Sequence, residues 1–171
     1  TQPGNFDGVD ILWVIDPSGS MANDRPRVVA GIGDMLNVLP LTGWRLAIIS
    51  TDPVRAEQTQ LFPLIPGDTA TDAETQLTAT VTGHHEKGFD AVRAYLGNSY
   101  SSTWMREDAA LLIVFVSDEE EQSYSNFPAV GDFVNWIQQQ REHVFISSIV
   151  QLDLTETECD PASAMNVGSR Y

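Results

Sequence analysis

The chain has 171 residues, 42% of them hydrophobic, which is enough to bury one sizeable core and predicts a single domain over residues 1–171. Its formal charge of −15 disfavours nucleic acid and anionic lipid as partners, because both are bound through Lys and Arg side chains. No apolar run approaches the roughly 20 residues of a membrane helix, and the first eight residues lack the pattern of a signal peptide, so we expect a soluble chain from which any export signal has been removed.

Apolar runs and helical patterns alternate through the first part of the sequence. Val9–Ile15 is a nearly continuous apolar run, rich in β-branched residues, and predicts a strand that is buried on both faces. Apolar residues at helical spacing predict the first helix over 21–39. A second strand is predicted over Trp44–Ser50. A short third strand is predicted over 61–65, where Pro63 suits an edge position.

The same alternation continues in the second part. Helical patterns predict a short helix over 73–81 and another that starts near Glu86. Residues 109–116 (AALLIVFV) are the most apolar run in the chain and predict the central strand. A helix around 133–137 and a last strand over Val144–Val150 follow. Strands that alternate with helices predict an α/β fold with a mostly parallel, doubly wound sheet and helices on both faces.

Two polar clusters directly follow two of the predicted strands. Residues 16–20 (DPSGS) come after the first strand, and residues 117–121 (SDEEE) come after the central one. Sites in open parallel sheets form beyond the carboxyl ends of the strands, so the clusters face each other if these strands are neighbours. A D-x-S-x-S turn can direct one carboxylate and two hydroxyls to one side, which suits a hard cation such as Mg²⁺ or Mn²⁺. The alternative is an ordinary strand-to-helix turn with N-capping serines.

The charge of this ligand set indicates the kind of site. Serine hydroxyls are neutral, and if Asp16 or Asp118 reaches the ion through a water molecule, the cation keeps part of its positive charge. Such a cation attracts a carboxylate from outside the protein. The set therefore predicts a site that binds a partner rather than a closed structural site.

The sequence resembles the von Willebrand factor A-type (vWA) domains, whose metal-ion-dependent adhesion site uses a D-x-S-x-S loop, a threonine from a second loop and an aspartate from a third. Asp16, Ser18 and Ser20 match the first element, and Asp118 in the phrase FVSDEEE matches the third. The resemblance covers residues 9 to about 152. It implies a three-layer Rossmann-like fold with strand order 3-2-1-4-5-6, in which the strands before these two loops are neighbours.

The second loop departs from the family pattern. The family places its threonine a few residues before a small residue of the following helix, and with Gly88 as that small residue the spacing falls on Gly83. We therefore take Thr82, one residue earlier, as the threonine ligand, with Thr80 as the alternative. The resemblance implies one divalent ion, Mg²⁺ first and Mn²⁺ or Ca²⁺ as alternatives. The implied metal ligands are Asp16, Ser18, Ser20, Thr82 and Asp118.

The resemblance also implies a final helix and strand after the last predicted strand. Residues 153–171 are too short and too irregular to supply both, so we expect an irregular C-terminal extension in a chain that is part of a larger polypeptide or assembly. Cys159 is the single cysteine, which excludes an internal disulfide and a cysteine-based zinc site. It either pairs with a cysteine elsewhere in such a polypeptide or is a free thiol.

Other polar residues near these loops have simpler interpretations. Residues 119–121 are further ligands or shape the field around the ion, but a run of charges is usually a solvated face. His84 and His85 suggest a transition metal, yet adjacent side chains diverge, and a role on the loop surface is favoured. Asp52 follows a strand and could contact the partner, but a turn residue before Pro53 is the favoured interpretation.

The leading functional hypothesis is an adhesion or protein-interaction module, extracellular or at the cell surface, that binds an acidic residue of a partner through the metal ion. Two alternatives keep the fold: a structural or assembly component of a surface appendage or virus particle, and an intracellular vWA partner of an ATPase. Catalysis is not expected. Phosphohydrolases of the haloacid dehalogenase type need a second aspartate two residues after the first, where this chain has Ser18. Phospho-receiver domains need a lysine after a late strand, and Lys87, the single lysine, does not follow one. The G-x-S-x-G motif of serine hydrolases is absent.

Overall fold

The computed structural model describes residues 7–150 and 170–171. Within this range, four strands form one all-parallel sheet in the order β2-β1-β3-β4. The strands are β1 (Val9–Ile15), β2 (Trp44–Ser50), β3 (Ala110–Ser117) and β4 (Val144–Val150). The α-helices are α1 (Arg25–Val38), α2 (Pro53–Gln58), α3 (Ala70–Thr80), α4 (Gly88–Leu96) and α5 (Val130–Gln140). Short 3₁₀ segments lie at Ser20–Asn23 and Ser101–Thr103.

The two central strands, β1 and β3, end side by side. In the parallel register, Ile15 of β1 faces Val116 of β3, so Asp16 and Ser117 are the next residues on each strand. Parallel strands present their carboxyl ends at one edge of the sheet. The register therefore places the loop after β1 beside the loop after β3, as the resemblance to vWA domains implies.

Helices cover both faces of the sheet because successive strand residues point to opposite sides. On one face, Leu12 and Val14 pack in a buried cluster with residues of α4 and α5. On the other face, Ile11, Trp13 and Ile15 pack in a second cluster with residues of α1 and α3. Each fully buried aliphatic side chain contributes about 1.5–3 kcal/mol, so these two layers hold the ends of β1 and β3 in place.

The predicted doubly wound α/β architecture is confirmed, and one predicted strand is wrong. Over 61–65 only a single antiparallel bridge joins Leu64 to Leu46 of β2, through two backbone hydrogen bonds of 2.7 and 2.9 Å. Pro63 and Pro66 lack the N–H groups that a longer ladder needs. The bridge thus covers the edge of β2 at one point.

Two helices also differ from the prediction. The predicted helix over 21–39 is divided into the 3₁₀ segment Ser20–Asn23 and α1, because Pro26 in the first turn suits a helix start and not a helix interior. Helix α2 was not predicted. No helix within residues 7–150 is long and apolar enough to cross a membrane. The expected irregular extension over 153–171 and Cys159 lie almost entirely outside the described residues.

Candidate metal centre

Asp16 is the first residue after β1, and its side chain is fully buried at the carboxyl end of the sheet. One carboxylate oxygen, Oδ1, accepts a hydrogen bond of 2.7 Å from the backbone N–H of Ser18. The other, Oδ2, accepts a 2.5 Å hydrogen bond from the hydroxyl of Ser117 at the end of β3. Because both oxygens are held, the orientation of the carboxylate is fixed, and the loop turns sharply after the strand.

The hydroxyls of Ser18 and Ser20 lie beside the carboxylate of Asp118. The two Oγ atoms are 2.8 Å apart, and Oγ of Ser20 is 3.2 Å from Oδ1 of Asp118. Adjacent ligands of an octahedral ion with metal–oxygen distances of about 2.1 Å are separated by about 3.0 Å. Both observed separations are also ordinary hydrogen-bond distances. The structure therefore brings Asp16, Ser18, Ser20 and Asp118 together at the carboxyl end of the sheet, linked by hydrogen bonds.

The two threonines considered for the second loop are placed differently. Thr82 is exposed in the loop between α3 and α4, and its carbonyl oxygen accepts a 2.8 Å hydrogen bond from the hydroxyl of Ser50. Thr80 is buried in the last turn of α3, and its hydroxyl donates to the carbonyl of Gln76. The hydroxyl of Thr80 is thus engaged within its own helix, which leaves Thr82 as the threonine with a free approach from solvent.

Two further carboxylates, on Glu86 and Glu119, belong to this region. The sequence analysis gave Glu86 no role in the site and considered Glu119 only as one of a run of charges. Glu86 is 9% exposed and precedes α4, and its carboxylate accepts a 3.1 Å hydrogen bond from the amide of Gln122. The carbonyl oxygen of Glu86 also accepts from the backbone N–H of Gln122, at 2.7 Å. These bonds tie the second loop to the loop after β3. The sequence signal for Glu86 was its position just before α4, where the threonine ligand was sought.

The carboxylates in this region influence one another's ionisation. Burial raises the pKa of Asp118, and the charge of Asp16 raises it further. Burial raises the pKa of Glu119 to about 7, and the charges of Glu86, Asp16 and Asp118 add to this effect. The pKa of Glu86 is also raised, by burial first and then by Asp16. A positive ion placed among these groups would relieve the repulsion.

Among the described residues no ion pair offsets these charges, although the charge of His85 opposes the rise that burial causes in the pKa of Glu86. Within residues 7–150 and 170–171, none of the four carboxylates forms an ion pair with Lys, Arg or His. Arg25 contacts the backbone of the first loop, where its guanidinium donates a 2.8 Å hydrogen bond to the carbonyl of Pro17. Arg25 thus stabilises the backbone of the first loop.

Glu121 has a structural role in the loop after β3. It is fully buried, and its Oε1 accepts hydrogen bonds from the backbone N–H groups of Phe89 and Ser123, at 3.3 and 3.0 Å. The guanidinium of Arg170 lies 3.2 Å from its Oε2 and also donates to the carbonyl of Phe127 at 2.6 Å. Burial raises the pKa of Glu121, and these donors oppose the rise. The loop that carries Asp118 is therefore anchored on its inner side.

Asp52 stabilises two loops at the same edge of the sheet. Its Oδ1 accepts hydrogen bonds from the backbone N–H groups of Val54 and Arg55, at 3.0 and 3.3 Å, and so caps α2. Its Oδ2 accepts from the N–H of His84 at 3.1 Å. The side chains of His84 and His85 are exposed. This geometry agrees with the favoured interpretation of Asp52 as a turn residue.

The donor set favours a metal that accepts hydroxyl ligands. Among the residues that the structure describes, no three Asp, Glu, His or Cys side chains are arranged to hold one ion. The set predicted from the sequence has two carboxylates and three hydroxyls, so its fit depends on Ser18 and Ser20. The hydroxyls of these two serines and the carboxylate of Asp118 are linked by hydrogen bonds, and such oxygens are the type of ligand that Mg²⁺ and Mn²⁺ prefer.

Comparisons with known proteins give a likeness in fold. No family model matches the sequence, and no curated protein matches it. Two crystal forms of proximal thread matrix protein 1 (PTMP1) from the mussel byssus superpose with a TM-score of 0.51, at 12% and 14% identity over 84% of this chain. The chain spans only 35–36% of PTMP1. Manganese-loaded TRAP of Plasmodium vivax gives a TM-score of 0.49 at 19% identity, over 85% of this chain and 58% of that protein. The chain therefore has a vWA-like Rossmann fold, with an all-parallel sheet between two layers of helices.

Proposed function

We propose that this chain is an adhesion or protein-interaction module that binds an acidic residue of a partner protein through a divalent cation. The observation that carries the proposal is the contact of the Ser20 hydroxyl with both the Ser18 hydroxyl and the Asp118 carboxylate, beside the fixed carboxylate of Asp16. The vWA-like fold and the position of these residues at the carboxyl ends of two neighbouring strands support it.

The proposed ligands come from three loops. Asp16, Ser18 and Ser20 contribute from the loop after β1, Asp118 from the loop after β3, and Thr82 from the exposed loop before α4. The proposed ion is Mg²⁺, with Mn²⁺ and Ca²⁺ as alternatives. When bound, it supplies a Lewis acid with a free coordination position. Neutral hydroxyls leave part of its charge unbalanced, so a carboxylate from the partner can complete the coordination.

The surrounding carboxylates explain why binding of an acidic partner would depend on the metal. Glu86 and Glu119 add negative charge to a site that already contains Asp16 and Asp118. Burial raises the pKa of Glu119, and the charges of the other three carboxylates raise it further. Without a cation, this field repels an approaching carboxylate. With a cation held by the hydroxyls, the nearest charge to the partner is positive, and the sign of the local interaction is reversed.

The setting in which we place this activity is extracellular or at the cell surface, within a larger polypeptide, and we propose no catalytic role. A second candidate is a structural part of an extracellular assembly. The likeness in fold to PTMP1, a matrix protein of the mussel byssus, favours that candidate over an intracellular partner of an ATPase. The two leading candidates share the metal site and differ in whether the partner is a soluble protein or a repeated unit of a matrix.

Calorimetric titration of Mg²⁺ and Mn²⁺ into the metal-stripped chain tests the ligand set. We expect one site in the wild type and at least a tenfold loss of affinity, about 1.4 kcal/mol, in a Ser18→Ala/Ser20→Ala variant. Both serines lie in an exposed or half-exposed loop, so the variant is expected to fold. Ser102→Ala is a matched control, since it removes an exposed hydroxyl that donates only to the carbonyl of Ser99.

Two results would reject the proposal. Equal affinity in the double-serine variant and the wild type would show that the hydroxyls are not ligands, and the site would then be an ordinary hydrogen-bonded turn. Turnover of p-nitrophenyl phosphate by the wild type that is lost in Asp16→Asn would show that the strand-end aspartate has a catalytic role.

A further inference from the structure

A cleft lies between α2 and α4, beside the candidate metal centre. Its volume is about 350 Å³, and it is open to solvent. Two helices of the same face form its walls, and it begins near the loops that end the strands. The lining residues that matter for its chemistry are Pro53, Glu57, Lys87, Asp90, Arg93 and Asn126.

The charged groups that line the cleft are two cations and two carboxylates, and they differ in whether they have an ion-pair or hydrogen-bond partner. Asp90 is 7% exposed; its Oδ1 accepts a 2.8 Å hydrogen bond from the amide of Asn126 and lies 3.9 Å from the guanidinium of Arg93. Glu57 is exposed on α2. Within the described residues, no carboxylate lies at ion-pair distance from the ammonium of Lys87, and no hydrogen bond engages it. Among the residues that the structure describes, Lys87 is thus a half-exposed cation without a counter-ion.

This cation is adjacent to the metal centre in the chain and in the fold. Lys87 directly follows Glu86, and its backbone N–H donates to the carbonyl of Thr51, the residue after β2. Pro53 lies two residues further along the same loop, and Asn126 belongs to the loop that begins at Asp118. The cleft therefore extends from the carboxyl end of the sheet down the groove between the two helices.

Two other cations of the chain are already paired with buried carboxylates. Arg106 pairs with Asp10 at 2.7 Å, and Arg170 pairs with Glu121 at 3.2 Å. A chain with a formal charge of −15 repels an acidic partner over most of its surface. Since salt screens charges beyond about 8 Å at physiological ionic strength, a local cation can still attract a carboxylate that approaches the cleft.

We propose that Lys87, flanked by Arg93, binds a second carboxylate of the acidic partner segment whose first carboxylate coordinates the metal ion. The inference rests on the proposed function, because the first carboxylate positions the segment beside the cleft. It defines the partner chemistry more closely: a segment with two acidic residues, one at the metal and one over the groove between α2 and α4.

Short diacid peptides test this inference. The probes are N-acetyl, C-amide peptides with two aspartates separated by one to four glycines, each compared with the peptide in which one aspartate is replaced by asparagine. Affinities are measured by NMR titration of the chain at saturating Mg²⁺. Two equivalent carboxylates alone give a statistical advantage of about twofold. We expect one spacer length to exceed this and to reach about fivefold, which corresponds to an exposed ion pair of about 1 kcal/mol.

Matched variants identify the residue responsible. Lys87→Gln is expected to reduce the diacid advantage to the statistical factor, while Lys87→Arg retains it. Arg141→Gln is the control. It removes one positive charge from the segment between α5 and β4, which lies at the amino ends of the strands, away from the candidate metal centre. The affinity of each variant for Mg²⁺ alone, measured by calorimetry, is expected to match that of the wild type.

The possible results separate the two proposals. If the monoacid peptides bind in the presence of Mg²⁺ but Lys87→Gln keeps the full diacid advantage, the second subsite is rejected and the proposed function stands. If the metal binds and no peptide binds at any spacer length, both the second subsite and the proposed role in acid recognition are rejected.

Discussion

Replacing Asp118 by asparagine separates two energetic roles of one carboxylate. The side chain is 9% exposed, and its Oδ1 accepts a hydrogen bond from the hydroxyl of Ser20. The side-chain oxygen of asparagine can accept the same hydrogen bond. Burial and the charge of Asp16 raise the pKa of Asp118, so its ionised form is disfavoured in the metal-free fold. We therefore expect metal-free Asp118→Asn to be more stable than the metal-free wild type, by on the order of 1 kcal/mol.

The same substitution is expected to weaken stabilisation by metal. A cation at 100 times its dissociation constant stabilises the folded state by about 2.7 kcal/mol, which raises the melting temperature of a domain of this size by about 5–10 °C. Asp118→Asn removes a negative charge that faces the ion. Most of the metal-dependent rise should therefore be lost, and the order of stability of the two proteins should reverse when Mg²⁺ is added.

Thermal melts followed by circular dichroism, in EDTA and over a series of Mg²⁺ concentrations, measure both effects. Asp108→Asn, an exposed aspartate that precedes β3 at the opposite edge of the sheet, is the control and should show neither. The reasoning is refuted if Asp118→Asn melts below the wild type in EDTA, or if Mg²⁺ raises the melting temperatures of both proteins equally.

Three further predictions concern stability. Arg106→Gln should cost about 3–5 kcal/mol in urea unfolding, because it leaves the fully buried carboxylate of Asp10 without its cation, and Asp10→Asn in the same chain should restore part of the loss. Because the pKa of Glu119 is raised to about 7, the folded chain binds more protons than the unfolded one between about pH 4.5 and 7. The metal-free free energy of unfolding, measured by chemical unfolding, should therefore fall as the pH rises through this window. Glu119→Gln should flatten this dependence on pH. Gly83→Ala should lower the melting temperature, since Gly83 has φ of +123° and a Cβ there would lie 2.5 Å from the side chain of Asp52; an unchanged melt would show that the loop can rearrange freely.

The central strands could be predicted closely because burial on both faces leaves a continuous apolar run. Val9–Ile15 was predicted with its observed bounds, and the run over 109–116 differs from β3 by one residue at each end. Hydrophobicity does not predict the pairing of β1 with β3, because β2 lies between them in the chain. That pairing was implied only by the strand order of the vWA domains, and the register confirms it.

The elements at the edge of the sheet were harder to predict because local signals conflict there. The apolar residues over 61–65 have a strand-like composition, but Pro63 and Pro66 limit pairing to one bridge. Asp52 followed by proline was interpreted as a turn, whereas it is also the N-cap of α2, which begins at Pro53. A six-residue helix has too few residues to show a helical period, so only this capping signal was available.

The site was predictable where residues follow the strands and not where they depend on loop packing. The loops that carry Asp16, Ser18, Ser20 and Asp118 meet because β1 and β3 are neighbours, which the resemblance to vWA domains implied and the register confirms. The nearness of Glu86 and Glu119 depends on how the loop before α4 folds over the edge of the sheet, which has no periodic signal. Metal ligation itself, and the role of Thr82 in it, stay predictions.

The candidate site combines a geometry that is set in advance with an electrostatic repulsion that is not relieved. Hydrogen bonds to both oxygens of Asp16 hold the first loop, so little conformational entropy need be lost when a cation binds. Burial raises the pKa of Glu119, and the negative charges of Glu86, Asp16 and Asp118 raise it further. A cation gains from both features at once. Its affinity should therefore weaken as the pH falls below about 7, because protonation of Glu119 removes part of the field that attracts it.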